Sequence, residues 1–101
     1  MDDAKTREHV RRHAESIERG DMDAAVADFS EELRPQVPQI AQELLPLPVS
    51  TAEVLSVDVG DAESVARIRY SGDSGEVVIR SRWQDHGGRP LLVSAEPEPA
   101  D

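Results

Sequence analysis

Residues 35–48 read PQVPQIAQELLPLP, and the hydrophobic period of the chain changes across this stretch. Before it, apolar residues recur every three or four positions, which is typical of amphipathic helices. After Thr51 they alternate with polar residues at every second position, which is typical of strands with one buried face. Helices followed by strands predict an α+β fold, with the helices packed on one face of an antiparallel sheet.

The residues before this stretch predict two helices joined by a tight turn. The first helix spans 3–19, with one apolar face made by Thr6, Val10, Ala14 and Ile17. Gly20 is a natural helix stop, and Asp21 is a good N-cap for the second helix. The second helix carries a stripe that runs to the Arg34–Pro35 boundary: Met22, Ala25, Val26, Phe29 and Leu33.

The proline-rich stretch itself predicts a short third helix. Pro38 suits the first turn of a helix, and Pro46 and Pro48 end it. Its apolar face would consist of Val37, Ile40, Ala41 and Leu44.

The alternating half predicts a four-stranded antiparallel meander, because glycine-containing turns separate four apolar runs. In the first run, Leu55, Val57 and Val59 would share the core face. In the middle hairpin, apolar residues meet when Tyr70 lies opposite Val77 and Ile68 opposite Ile79. The same register brings Arg67 opposite Arg80.

The second face of the predicted sheet would carry a row of charges. We expect Asp58 to lie beside Arg67 and Glu96 beside Arg80, because two facing arginines need carboxylates close to them. Arg69 and Arg82 complete the predicted row. This face is interpreted as a solvated surface, as a subunit interface, or as a site for a small anion.

Composition bounds the class of protein. A chain of 101 residues has room for one core, so the sequence predicts a single domain over 1–96 and a disordered acidic tail over 97–101. The net charge of −10 disfavours nucleic acid and anionic membranes as partners. The absence of cysteine excludes disulfides and zinc–thiolate sites. The charged N-terminal residues lack the apolar region of a signal peptide, which predicts a cytoplasmic protein.

The helical hairpin resembles one known family. The segment Glu18–Ala25, which reads ERGDMDAA, with Phe29 shortly after it, resembles the opening of nuclear transport factor 2-like proteins. The resemblance implies a cystatin-like cone in which helices cover the concave face of a bent sheet. Residues 34–48 leave no room for the hairpin that members carry between the second and third helices, so the resemblance implies a shortened form with a smaller or more open cavity. No catalytic residue is carried over.

Polar residues on the predicted core face define a candidate pocket between helices and sheet: His13, Tyr70, Ser81, Trp83 and Asp85. Together they would offer a base and hydrogen-bond donors to a carbonyl compound. The competing interpretation is a core with buried aromatic rings and polar tips at its rim. His9 and His13 have a spacing that could chelate a metal, yet no third ligand is evident, so we expect a partly exposed structural pair and neither a metal nor a cofactor.

The sequence therefore favours a small non-catalytic binding or protein-interaction module, homodimeric through the exposed sheet face and able to take a small apolar ligand. The alternative is a small isomerase, dehydratase or cyclase acting on an apolar carbonyl compound in the cavity. A structure distinguishes the two through the volume between the helices and Trp83.

Overall fold

The computed structural model describes residues 2–98. Its helices are α1 (Asp3–Arg19), α2 (Met22–Ala27) and α3 (Val37–Leu44), with a 3-10 turn at Arg34–Gln36. Its strands are β1 (Val49–Val59), β2 (Glu63–Gly72), β3 (Gly75–His86) and β4 (Arg89–Pro97), and they lie side by side in chain order as one antiparallel sheet. The predicted α+β fold is confirmed. Within residues 2–98, no helix is long and apolar enough to cross a membrane.

Helix α1 forms where its capping residues predict it. The Asp2 side chain accepts a hydrogen bond from the Lys5 N–H at 2.8 Å, and Gly20 ends the helix with a φ of 77°, a conformation that favours glycine. Asp21 then accepts from the Ala24 N–H at 3.2 Å and starts α2. The predicted apolar face of α1 is buried.

Helix α2 is shorter than its apolar stripe predicts, because it ends at Ala27 rather than near Leu33. The Leu92 N–H donates to the Asp28 carbonyl at 2.8 Å, and the Ser30 N–H donates to the Leu92 carbonyl at 2.9 Å. Phe29 and Leu92 thus form a parallel bridge at the edge of β4. The edge of the sheet provides the hydrogen-bond partners that the backbone of residues 28–30 would otherwise find in a longer helix. Tertiary contacts therefore override the local helical pattern.

The register of the middle hairpin is confirmed: Ile68 pairs with Ile79, and Tyr70 with Val77. The predicted core face of β1 is only partly right, since a bulge lies between Val54 and Ser56. A bulge adds one residue to one strand and reverses its alternation. Val57 and Val59 therefore pack against the core as predicted, but Val54 replaces Leu55 before the bulge.

The core lies between the sheet and the three helices, with Trp83 completely buried at its centre. Helix α1 lies across β1. Helix α3 is set back from the sheet: within residues 2–98 its backbone comes close mainly to the preceding 3-10 turn. This difference leaves space under α3 that side chains alone must fill.

We call residues 34–48 the strap, because they cross the helical side of the molecule and are held at both ends. At the first end, Arg34 Nε donates to the Phe29 carbonyl at 3.1 Å. At the other end, a Cβ placed on Gly72 would lie 2.3 Å from the Pro46 carbonyl oxygen and 2.6 Å from that of Pro48. Only glycine allows this approach.

Candidate functional site

A cavity of about 40 Å³, partly open to the surface, lies beneath the strap. Every layer of the fold contributes to its wall, and nearly all of the wall is apolar. The strap supplies Val37, Ile40, Ala41, Leu44 and Leu45, and the sheet supplies Tyr70, Ile79, Ser81, Leu92 and Ala95. The helical hairpin and the segment after it supply His13, Ile17, Met22, Ala25 and Phe29.

Tyr70 brings an unpaired hydroxyl to this cavity. Its side chain lies on β2 and the residue is 3% exposed. No residue in the described range 2–98 forms a hydrogen bond with the hydroxyl. Burial raises the pKa of Tyr70 well above its ordinary value, because the phenolate would lose its hydration. Tyr70 is therefore a neutral hydrogen-bond donor at the cavity wall.

Two histidines of α1 converge on one buried acid. His13 is 2% exposed, and its Nδ1 lies 2.9 Å from Asp28 Oδ2. His9 Nε2 lies 3.0 Å from Asp28 Oδ1, an ion-pair contact rather than a well-aligned hydrogen bond. We expected both histidines to be partly exposed. His13 is buried instead. Asp28, the first residue after α2, forms a hydrogen bond with Nδ1 of the His13 ring and so allows the ring to be buried.

Asp28 stays ionised although it is buried. Burial alone would raise the pKa of this carboxyl, but the interactions with His13 and then His9 outweigh burial and hold the pKa well below its ordinary value. The Arg89 guanidinium, 3.6 Å from Asp28 Oδ1, lies on the solvent side. Asp28, His9 and His13 thus form a compact charged cluster beside the core.

The side chain of Trp83, which projects from β3, packs against the two histidines of this cluster. Both histidine rings meet the indole edge to face, with centroids 5.7 Å away for His9 and 5.2 Å for His13. The indole N–H donates to Ser81 Oγ at 2.9 Å, and the Ser81 hydroxyl donates to the Ala66 carbonyl at 3.2 Å. Ser81 is thereby committed to structure and is not available as a nucleophile.

The structure brings together three of the five predicted pocket residues. His13, Tyr70 and Ser81 line the cavity. Trp83 is buried and packs against His13, but it is not among the lining residues. Asp85 is exposed on the β3–β4 hairpin opposite Pro90, so it offers no base to the cavity.

The predicted charge row on the outer sheet face is present with different partners. Arg67 lies opposite Arg80, and Glu96 lies opposite Arg80 on the other side, as predicted. Asp58 is not directly opposite Arg67: the turn after β1 pairs it with Val65 and places Ser56 opposite Arg67. Asp58 is a diagonal neighbour that still attracts Arg67 electrostatically.

Other glutamates neutralise the arginines of this face. Arg67 forms two hydrogen bonds with Glu98 at 2.6 and 2.9 Å, and Arg80 lies 3.7 Å from the same carboxylate. Two further pairs join Arg82 to Glu63 and Arg69 to Glu53. Because these arginines have internal counterions, the outer face is a poor site for a free anion.

The tail predicted to be disordered from Pro97 is ordered at its first two residues. Pro97 ends β4, and the Glu98 N–H donates to the Val78 carbonyl at 2.9 Å. The strand continues because Glu98 pairs with Arg67 across the sheet face. Residues 99–101 lie outside the described part of the chain.

Sequence reasoning missed Asp28 and Glu98 as partners. An acid beside the apolar Phe29 in an otherwise apolar stripe was the available signal for Asp28. For Glu98, the available signal was that the arginines predicted on one sheet face outnumber the acids on the strands, so that a further acid had to come from outside the predicted strands. In the described residues, no three histidine, cysteine or acidic side chains are arranged to hold a metal ion.

The comparisons with known proteins give a likeness to solved structures and no match to a family model or a curated protein. Its fold is similar to the solution structure of RPA3114, a SEC-C motif-containing protein from Rhodopseudomonas palustris. The TM-score is 0.64 at 18% sequence identity, over 90% of this chain and 77% of that one. At this identity the match shows the fold alone.

The expected resemblance to nuclear transport factor 2-like proteins is wrong, since the structural neighbour is a SEC-C motif protein. The helix–Gly–Asp–helix segment that suggested it is a general way to join two helices. Gly20 stops α1 and Asp21 caps α2 in this chain for local backbone reasons that hold in many folds.

Proposed function

We propose that the protein is a non-catalytic binding module that takes a small apolar ligand into the cavity beneath the strap. The observation that carries this proposal is a largely apolar cavity whose wall includes Tyr70, a residue whose hydroxyl has no hydrogen-bond partner within residues 2–98. A ligand oxygen in the cavity would give this hydroxyl a partner.

The strap provides the means of entry. Its ends are fixed at Arg34 and at the contact of Pro46 with Gly72, whereas α3 between them packs through side chains. The cavity of about 40 Å³ is smaller than the apolar cavity of about 150 Å³ that holds benzene in another protein. A ligand of that size therefore enters by moving α3 outward, and the apolar wall then closes on it.

An isomerase-type enzyme is the second candidate, and the pairing of His13 with Asp28 favours it. A carboxylate that holds one ring nitrogen of a histidine orients the ring and strengthens it as a base, and Tyr70 on the same cavity could donate to a carbonyl. We prefer the binding proposal for three reasons. The Ser81 hydroxyl is engaged in structural hydrogen bonds, Asp85 lies outside the cavity, and the cavity is too small for a substrate unless α3 moves.

A cavity-filling variant tests the binding proposal. Ala41→Leu places a larger side chain from α3 into the cavity, and Gln42→Leu places the same side chain on the exposed face of α3 as the control. In methyl NMR titrations with cyclopentanone, we expect shifts of the cavity residues in the wild type and in Gln42→Leu, and none in Ala41→Leu. Equal shifts in all three proteins, or none in the wild type, would contradict the proposal.

The same samples separate the two candidates. An isomerase would exchange the α-hydrogens of cyclopentanone for deuterium in D2O, and His13→Gln would abolish that exchange. We expect binding without exchange beyond the rate in buffer. Exchange that depends on His13 would replace the binding proposal with the enzymatic one.

We also propose that the chain forms a homodimer through the outer sheet face. This face carries no helix, and the half-buried Val65 and Val78 lie among its charged pairs. Light scattering after size-exclusion chromatography tests the proposal. We expect a dimer at micromolar concentration that the double change Arg67→Glu and Arg80→Glu dissociates, because it places two further acids beside Glu98. A wild-type monomer, or an unchanged dimer in the variant, would contradict it.

A further inference from the structure

We infer that the ligand of this cavity is uncharged and carries an oxygen that accepts a hydrogen bond from the Tyr70 hydroxyl. Ketones, esters, ethers and alcohols share this chemistry, in contrast to both plain hydrocarbons and carboxylates. The inference rests on the proposed binding function and adds the chemical class of the ligand.

The charges around the cavity exclude an anionic ligand. Among the described residues that line it there is no lysine, arginine, aspartate or glutamate, and His13 is the one basic side chain. The His13 ring already faces the carboxylate of Asp28 at 2.9 Å, so a positive charge on the ring would be matched without the ligand. A carboxylate in the cavity would be a second buried anion with no cation of its own, which is strongly unfavourable.

The hydrogen-bonding groups of the wall leave one donor free. The Ser81 hydroxyl donates to the Ala66 carbonyl and accepts from Trp83 Nε1. The Nδ1 of His13 is held by Asp28. The Tyr70 hydroxyl forms no hydrogen bond within residues 2–98 and belongs to a side chain that is almost fully buried. A ligand with a neutral oxygen beside Tyr70 would satisfy this donor at no cost in charge burial.

Apart from the Tyr70 hydroxyl and the Nε2 of His13, no polar side-chain group of the described wall lacks a hydrogen-bond partner. The remaining lining residues are aliphatic, aromatic or thioether side chains, contributed mostly by the strap and the two central strands. A ligand with several polar groups would leave some of them unpaired against this wall, which penalises binding. The expected ligand is therefore a compact, mostly hydrocarbon molecule with its oxygen at one end.

A matched set of three probes tests the inference: cyclopentane, cyclopentanone and cyclopentanecarboxylate, each titrated into the wild type and into Tyr70→Phe by NMR. In the wild type we expect cyclopentanone to bind about 2- to 12-fold more tightly than cyclopentane, which is the range for one neutral hydrogen bond. In Tyr70→Phe we expect that preference to vanish while cyclopentane binds as before. Cyclopentanecarboxylate should bind to neither protein.

Unchanged cyclopentane affinity also shows that Tyr70→Phe is folded. The inference is overturned if the carboxylate binds most tightly, or if the preference for cyclopentanone survives in Tyr70→Phe. These results would leave the proposed cavity intact, since the probes would still bind there. Failure of all three probes to bind the wild type would overturn the proposed function together with the inference.

Discussion

Replacement of Asp28 by asparagine should destabilise the fold, and the loss should depend on pH. Asp28 is 8% exposed as a residue, and its carboxylate lies between His13, at 2.9 Å, and His9, at 3.0 Å. Asparagine has nearly the same size, so the change removes the charge and leaves the packing almost as it was. What is lost is the interaction of a buried anion with two imidazole rings.

The magnitude follows from these contacts. A hydrogen bond to a charged group contributes about 1.5–3 kcal/mol, and His13 makes one with good geometry. Removal of one partner of a buried ion pair costs about 3–5 kcal/mol, although the asparagine amide keeps one oxygen acceptor for the ring. We therefore expect a decrease in the free energy of unfolding of about 2–4 kcal/mol at pH 7.

The pH dependence has a definite sign. Because the folded state holds the pKa of Asp28 below its unfolded value, the stabilisation is complete above the unfolded pKa of about 3.9 and is lost as the pH falls toward the folded-state value. The asparagine variant has no such carboxyl to titrate. The difference between the two proteins should therefore shrink below about pH 4.

Urea unfolding followed by tryptophan fluorescence measures both quantities. Trp83 is the single tryptophan, is completely buried and contacts both histidine rings, so its emission reports the state of this region. Asp58→Asn is the matched control, since Asp58 is exposed and its replacement should change stability by less than about 0.5 kcal/mol. A loss in Asp28→Asn no larger than that of the control, or one that does not shrink in acid, would refute the reasoning.

Three further substitutions test the packing around the cavity, each by urea unfolding. Ser81→Ala should lower the free energy of unfolding by about 1–3 kcal/mol, because it leaves the Trp83 indole N–H without its acceptor; an unchanged value would show that this bond contributes nothing. Tyr70→Phe should leave stability unchanged or raise it, since the hydroxyl has no partner within the described range, and a clear loss would reveal a partner. Gly72→Ala should cost about 1–3 kcal/mol, because the new Cβ would meet two backbone oxygens of the strap at 2.3 and 2.6 Å; tolerance of alanine would show that the end of the strap moves easily.

The parts of the fold that sequence predicted are those determined by neighbouring residues. Helix α1 has the predicted bounds because Gly20 and the N-cap Asp2 act locally. The register of the β2–β3 hairpin follows from alternation and a four-residue turn, so Tyr70 meets Val77 as expected. The burial of Tyr70 and Ser81 on the core face follows from the same alternation.

The parts that sequence did not predict depend on distant residues. Helix α2 ends early because Leu92 offers backbone hydrogen bonds to residues 28–30. The bulge at Leu55 changes which side chains of β1 face the core, and no residue in the first run marks its position. The register set by the β1–β2 turn places Asp58 opposite Val65 instead of Arg67, and Glu98 is the direct counterion of Arg67. The candidate site also depends on distant residues, because the hydrogen bond from Leu92 of β4 positions Asp28 beside the histidines.

The backbone bonds between Leu92 and residues 28–30 close part of the free edge of β4. An open strand edge offers unpaired N–H and C=O groups to other chains and is a route to aggregation. The same short segment holds Asp28 against His13. A fluctuation that freed this edge would also pull Asp28 away from His13, so it would carry the added cost of breaking that buried contact. The charge cluster inside the molecule therefore protects its sheet from pairing with the sheets of other copies.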